Sequence, residues 1–397
     1  MRILFISNYF PGDLGPLARV LAASSENEVL FASSRQRKDY ALPDVRLVRL
    51  KNAPLFGNAP PAVSGLWEEA IKRGSAGLRS LRALRDSWGE PDMVFASLSG
   101  GAAFFAPEAF PGAFFVAYAE AGQKNFPLLP RAVRTAWILL QSDLFSQVDL
   151  CFALSEQTRS LFPRPLQQVI RLTAPCVDTE TFSRAAARPW FDAAAPGDAA
   201  AGPLLTLDAT GLEGAPLARL LRLGHAVLRA LSDCHVVMLV ENRRLKEAVE
   251  TAVAVWPADV RERFAACNSL PFERYRDLLA ASSLMVCPGC GDAAERSMLE
   301  CMSCETLLMA RAASASFLHA GINMLELPAH EPLAAVLAAL DGRRGGIPAE
   351  PAPQARRARR DVLEYFSEAV VVPRHLAEVM RARDEWKRGR RLGVLSA

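Results

Sequence analysis

The chain has 397 residues, 51% of them apolar and 22% charged, with a formal net charge of +3. A single hydrophobic core stops growing well below this length, so two domains of roughly 170 to 200 residues are expected. Both signs of charge are spread along the sequence, which excludes the concentrated basic surface of a dedicated nucleic-acid binder and removes nucleic acid as an expected partner.

The opening MRILFISNYFPG has one basic residue and a short apolar run stopped by Pro11 and Gly12, so it reads as a first β-strand and not as a secretory signal. The most apolar stretch, GGAAFFAPEAFPGAFFVAYAE, is broken by Glu108, two prolines and Gly112 before it could span a bilayer. A cytoplasmic location is expected. Eight cysteines are too sparse for a disulfide scaffold, so they are expected as reduced thiols, ligands or buried apolar side chains.

Along the chain, short apolar runs alternate with helical patterns: RILFIS, PLARVLAAS, EVLFAS, DMVFAS, GAFFVAY and VDLCFAL. This is the rhythm of βαβ units and a parallel sheet. It breaks at residues 183 to 203, an Ala-, Pro- and Gly-rich stretch expected as a linker or long loop. It resumes as LLTLDA, APLARLLRLGHAVLRAL, CHVVMLV, RRLKEAVETAV, FERYRDLLAAS, SLMVCP and RSMLECMS. Two doubly wound α/β domains in tandem follow. GRRGGIPAEPAPQARRARR reads as a polar loop whose basic end opens a helix with a solvated charged face. In RHLAEVMRARDEWKRGRRLGV, Leu376, Val379 and Met380 share one helical face opposite Arg and Lys. That pattern suits a helix docked on its own protein, and it can also serve a peripheral membrane contact.

Three segments carry candidate chemistry. Gly12 and Gly15 sit between the first strand and first helix, where glycine lets backbone N–H groups approach an anion, or simply allows a tight turn. CPGCGDAAERSMLECMSCE holds two C-x2-C pairs separated by ten residues, a spacing that a four-thiolate zinc site could use. The first pair closes a strand and the second lies on a helix face, so buried thiols are the favoured reading and no metal is expected. In the same stretch Asp292 is expected in the loop after the strand, with Glu300 about one turn into the next helix. Both carboxylates can then face the carboxyl edge of the sheet. Finally, Glu120, closing FFVAYAE, lies at a strand's carboxyl edge, where it could hold a ligand hydroxyl or be a plain loop carboxylate.

Taken together, these segments resemble the retaining glycosyltransferases of family 4 (group 1). The resemblance rests on MRILFISNYFPGDLGPLARVLA, on Val177, Asp178, Thr179 and Phe182, on LPFERYRDLLAASSLMVCPG, and on AERSMLECMSCETLLMA. It implies a GT-B fold of two Rossmann-like domains facing a central cleft: 1–172 on the acceptor side, 173–363 for the nucleotide sugar, and 364–397 as a helix returning to the first domain. Glu300 matches the glutamate that binds the donor ribose, and Asp292 stands where the family's other glutamate meets the transferred sugar, one methylene shorter. The backbone of Glu295, Arg296, Ser297 and Met298 is implied to lie against the diphosphate. Cys304 matches a cysteine common in that helix.

The chain also departs from the family. A Gly-Arg and a Lys-Gly pair usually follow the first strand of the second domain and neutralise the diphosphate. Here LLTLDATGLEGAPLA offers no cation between Leu204 and Ala218, while Asp208 and Glu213 are anionic. Arg243, Arg244 and Arg296 are the replacement candidates. After the fourth strand of the first domain, Ser97, Ser99 and Gly100 stand where a His is frequent. The expected activity is sugar transfer with retention from a nucleotide-sugar donor to a glycan, lipid-linked or protein acceptor, without cofactor or metal. The alternative is a catalytically silent GT-B protein that binds or partners an active transferase.

Overall fold

A computed structural model describes residues 1–37, 39–51, 63–98, 101–119, 131–186, 188, 190, 202–289, 292–341 and 350–391. The chain forms two compact units. Unit 1 is Met1–Cys176 together with the chain from Glu368 onward, and unit 2 is Val177–Ser367. The expected divisions at 172/173 and 363/364 fall slightly earlier than these. The reason is local: Val177 and Ser367 pair as a parallel bridge, and the Val177 N–H donates to the Phe366 carbonyl at 2.9 Å.

Unit 1 holds a seven-stranded sheet of β1 (Arg2–Phe10), β2 (Glu28–Gln36), β3 (Val45–Arg49), β4 (Met93–Ser97), β5 (Phe114–Ala119), β6 (Leu150–Ala153) and β7 (Ile170–Leu172). Its order is β3-β2-β1-β4-β5-β6-β7, parallel throughout. The inner strands are near-continuous apolar runs because helices cover both faces of a parallel sheet. Register brings Phe5 beside Phe31 and Phe95, and the three rings stack at centroid distances of 5.7 and 4.9 Å. The helix Glu368–Arg391 packs on this unit, with Val372 and Val379 buried and Trp386 edge-on to Phe114 at 5.5 Å. Its polar side is not wholly solvated: Arg383 is buried, 3.6 Å from the Asp92 carboxylate.

Unit 2 repeats the plan with β8 (Leu204–Asp208), β9 (His235–Leu239), β10 (Phe264–Cys267), β11 (Leu284–Cys287), β12 (Leu308–Ala310) and β13 (Leu325–Glu326). The order is β10-β9-β8-β11-β12-β13, again parallel. In both sheets the order reverses at the first strand, so the topological switch lies between β1 and β4 and between β8 and β11. Ligands of open α/β sheets bind beyond the carboxyl ends of such strands. Most of the expected 183–203 linker, residues 191–201, lies outside the described residues.

The basic stretch before the last helices does form a helix, Pro353–Asp361, but its charges are not all a solvated face. The Arg359 guanidinium is half-buried and donates to the carbonyls of Thr179 (2.9 Å), Phe182 (3.0 Å) and Ser303 (2.7 Å). It ties the first segment of unit 2, where Asp178 accepts from the N–H groups of Glu180 and Thr181, to the end of the helix that carries the candidate site.

Candidate functional site

The site is built at the carboxyl edge of the unit 2 sheet, where β8 and β11 end side by side. LMVC fills β11 with four buried side chains and closes at Cys287. The helix that follows runs from Asp292 to Ser303. It begins earlier than expected: Asp292 is its first residue and not part of a loop, and Glu300 stands more than two turns in. With 1.5 Å of rise per residue, the two Cα positions are about 12 Å apart along the axis.

The same early start corrects the expectation for Glu295, Arg296, Ser297 and Met298. These residues are inside the helix, so from Arg296 onward the N–H groups bond to carbonyls four residues back and are not offered to a ligand. The N–H groups left free belong to the first turn, at Asp292 and the two alanines after it. Met298 is fully buried with Leu299, Met302 and Leu279 and acts as packing. Glu295 is buried as well, at 5% exposure. Burial, followed by the charge of Asp292, pushes its carboxyl from 4.5 up to about 8.

Glu300 is half-buried and accepts a hydrogen bond from the Tyr275 hydroxyl at 2.8 Å. Tyr275 comes from the helix Phe272–Ala281, and burial together with the charges of Glu300 and Asp208 raises its hydroxyl well above the usual range, so it stays a donor. Arg296, one turn before Glu300 on the same helix, is held by that carboxylate's charge against the cost of its burial, which lowers its pKa. The Tyr275 hydroxyl on one side and the Arg296 charge on the other orient the Glu300 carboxylate.

Across the switch point, β8 ends at Asp208, 2% exposed. Its Oδ1 accepts from the Thr210 N–H at 2.9 Å and from the Thr210 hydroxyl, and the Cys287 thiol approaches its Oδ2 at 3.7 Å. Burial and Asp208 both raise the Cys287 pKa, so that thiol is protonated and donates. Cys301 and Cys304 are buried in the core with pKa values raised by burial, in keeping with packing roles. Cys290 lies outside the described residues.

The other expected residues are placed elsewhere. Arg243 and Arg244 open the helix Arg243–Val253 after β9, two strand spacings from β11, or roughly 10 Å. Arg243 is 86% exposed and pairs with Glu247 at 2.7 Å, so its charge is answered at the surface. Gly12 and Gly15 lie at the carboxyl end of β1 in unit 1. Gly12 has φ +53°, and a Cβ on Gly15, the first residue of the helix Gly15–Ala22, would fall 2.5 Å from the Pro11 Cβ. Turn geometry accounts for both. Ser97 is buried at the end of β4. Glu120, Ser99 and Gly100 lie outside the described residues.

Sequence reading missed Tyr275 and the burial of Asp208 and Glu295. The signals were a hydroxyl in an otherwise apolar helical period and an acidic residue closing the apolar strand LLTLD.

Residues 25–124, all within unit 1, match the sequence profile of a family described as Glycosyl transferase family 4 group. No curated protein matches the sequence. Among solved structures, the chain is similar to Anabaena Alr3699/HepE, captured in complex with UDP-glucose: 12% identity, TM-score 0.64, covering 96% of this chain and 100% of that one. It is equally similar to sucrose-phosphate synthase from Thermosynechococcus elongatus: 14% identity, TM-score 0.65, covering 96% and 98%. A UDP-N-acetylglucosamine 2-epimerase also shares the architecture, at 12% identity and TM-score 0.53 over 92% and 91%. The chain therefore has the two-domain GT-B fold, each domain a parallel α/β sheet.

Proposed function

We propose that this protein is a glycosyltransferase that moves a sugar from a nucleotide-sugar donor to a glycan, lipid-linked or protein acceptor with retention of configuration. The observation that supports this best is the pair of carboxylates on one helix at the β8/β11 switch. Glu300 is pre-oriented by Tyr275, and Asp292 stands about 12 Å away at the helix start. That separation suits a donor lying along the helix, its ribose at Glu300, its diphosphate over the first-turn N–H groups, and its sugar reaching Asp292. The chemistry rests on this chain's own groups. Fixed donors stabilise the departing diphosphate, and in the retaining reading that phosphate takes the acceptor proton, so no protein nucleophile and no metal form part of the proposal.

Thermal unfolding with a panel of UDP-, GDP- and ADP-sugars tests it. A donor at about 100 times its dissociation constant adds about 2.7 kcal/mol of stability. A shift with one donor that Glu300→Ala abolishes supports the reading, and a flat response to every donor removes it.

One observation favours a second reading, the silent GT-B binding partner. The Asp208–Gly214 turn, where the family carries cations, buries a carboxylate instead. Nucleotide binding without turnover of any donor would select it.

A further inference from the structure

The start of the Asp292–Ser303 helix poses an electrostatic problem for the function proposed above. Its free N–H groups attract an anion, yet two carboxyl groups, Asp292 and Glu295, share the same turn and the neighbouring β8 turn contributes no cation. Glu295 differs from the other acidic groups of this edge in having nothing to hold it. Asp208 is held by Thr210 and Cys287, and Glu300 by Tyr275. Glu295 is 5% exposed and makes no hydrogen bond or ion pair among the described residues. A helical side chain leans toward the helix N-terminus, so its carboxyl reaches back over the first turn toward Asp292, whose charge acts on it.

Among the described residues, the arginines of the elements packed on this helix are engaged elsewhere, Arg274 with the Trp190 carbonyl among them. From Phe272–Ala281, Tyr275 serves Glu300, and Arg276 is paired with Asp277. From Pro353–Asp361, Arg357 is paired with Asp361, and Arg359 is committed to three backbone carbonyls. After it come Glu364 and the exposed Tyr365. β11 brings the protonated Cys287, and β12, LMA, brings no charge. On the helix itself Arg296 answers Glu300. An ionised carboxylate buried without a partner is costly, whereas a neutral acid carries one O–H donor that still needs an acceptor.

We propose that Glu295, as a neutral carboxylic acid, donates a hydrogen bond to a phosphate oxygen of the bound nucleotide diphosphate and so takes the place of the cations that the Asp208–Gly214 turn lacks. The inference rests on the donor-site reading above. Donor binding then requires a proton on Glu295, and affinity falls as that proton is lost.

Calorimetric titration of the full chain with UDP, GDP and ADP, at about pH 7 and about pH 9, tests this. The expected result for the wild type is binding about tenfold weaker at the higher pH. Glu295→Gln, which keeps an N–H donor but cannot ionise, flattens the profile, and Glu295→Ala weakens binding at the lower pH and flattens it too. Carbon-13 NMR of the glutamate carboxyl groups in the ligand-free protein gives a readout independent of ligand, with Glu295 titrating near 8. Titration near 4.5, equal affinity at both pH values, or a pH dependence that survives in Glu295→Gln each overturns the inference while leaving the donor site standing. No binding of any of the three nucleotides at either pH overturns the donor site and the inference together.

Discussion

Glu295→Gln should change the pH dependence of folding stability even with no ligand present. In the unfolded chain this carboxyl releases its proton near 4.5, and in the folded protein near 8. Between those values the folded state binds more protons than the unfolded state, so stability falls as pH rises across the window and stays low above it. At about 1.4 kcal/mol per pH unit, the displacement corresponds to about 5 kcal/mol if nothing relaxes. Water entry and side-chain rearrangement reduce this, so a loss of about 2 to 4 kcal/mol is expected. Glutamine has the same shape and no charge. The variant should therefore match the wild type within about 1 kcal/mol at about pH 5 and exceed it by about 2 to 4 kcal/mol at about pH 8.5. Urea unfolding of both proteins at each pH measures this, and their difference cancels every other titrating group. A difference that does not change with pH, or a variant less stable than the wild type at the higher pH, refutes the buried neutral acid.

Tyr275→Phe removes the hydroxyl that orients Glu300. Because Glu300 is half-exposed, the loss should be about 1 kcal/mol, or about fivefold in nucleotide affinity, whereas Glu300→Gln should cost about 2 kcal/mol or more. Calorimetry that finds Tyr275→Phe equal to the wild type makes Tyr275 mere packing. Arg359→Met leaves the carbonyls of Thr179, Phe182 and Ser303 without their donor and should lower stability by about 2 to 4 kcal/mol in urea. A loss below about 0.5 kcal/mol would show that water replaces it. In unit 1, His375 is 7% exposed, 2.5 Å from the Tyr118 hydroxyl, and burial lowers its pKa from 6.5 to about 4. The unfolded chain takes up the proton first, so stability is lost as pH falls from 6.5 toward 4, by at most about 3 kcal/mol. His375→Gln should shallow that acid limb in thermal unfolding, and an unchanged limb would place the acid sensitivity elsewhere.

What could be read from the sequence follows from how local each cause is. A strand of a parallel sheet buried on both faces must be a short apolar run, and RILFIS, MVFAS, LCFA and LMVC announce themselves for that reason. VRLVR, which became β3, is an edge strand with no fully buried side chain and makes no such run. The helix at Asp292 was placed late because Asp, Ala, Ala and Glu are competent helix starters that need no loop before the apolar period begins. Arg359 and Arg383 look like solvated arginines, each in its own basic stretch. Their burial depends on acceptors distant in sequence, Thr179 and Phe182 for one and Asp92 for the other. The burial of Glu295 has the same origin: nothing within a few residues reveals it.

If the proposed donor site is right, that burial decides the electrostatic sign of the helix start. At an effective dielectric near 20, an ionised Glu295 about 6 Å from a phosphate charge would repel it by about 3 kcal/mol. The positive end of the helix returns about 0.3 to 1 kcal/mol at an exposed site and about 2 at best. With Asp292 ionised as well, the first turn would reject a diphosphate. With Glu295 neutral, that repulsion disappears and one donor is added, so the helix end and the acid act in the same direction. In the proposed site, the absence of Lys and Arg from the Asp208–Gly214 turn and the proton proposed on Glu295 are thus two sides of one constraint. A form of this chain with a cation in the Asp208–Gly214 turn should tolerate an ionised Glu295, and Glu213→Arg, at an exposed position of that turn, should therefore bind UDP with a flatter pH profile than the wild type. If calorimetry shows the same slope in both, the charge on Glu295 is not what limits phosphate binding at this helix.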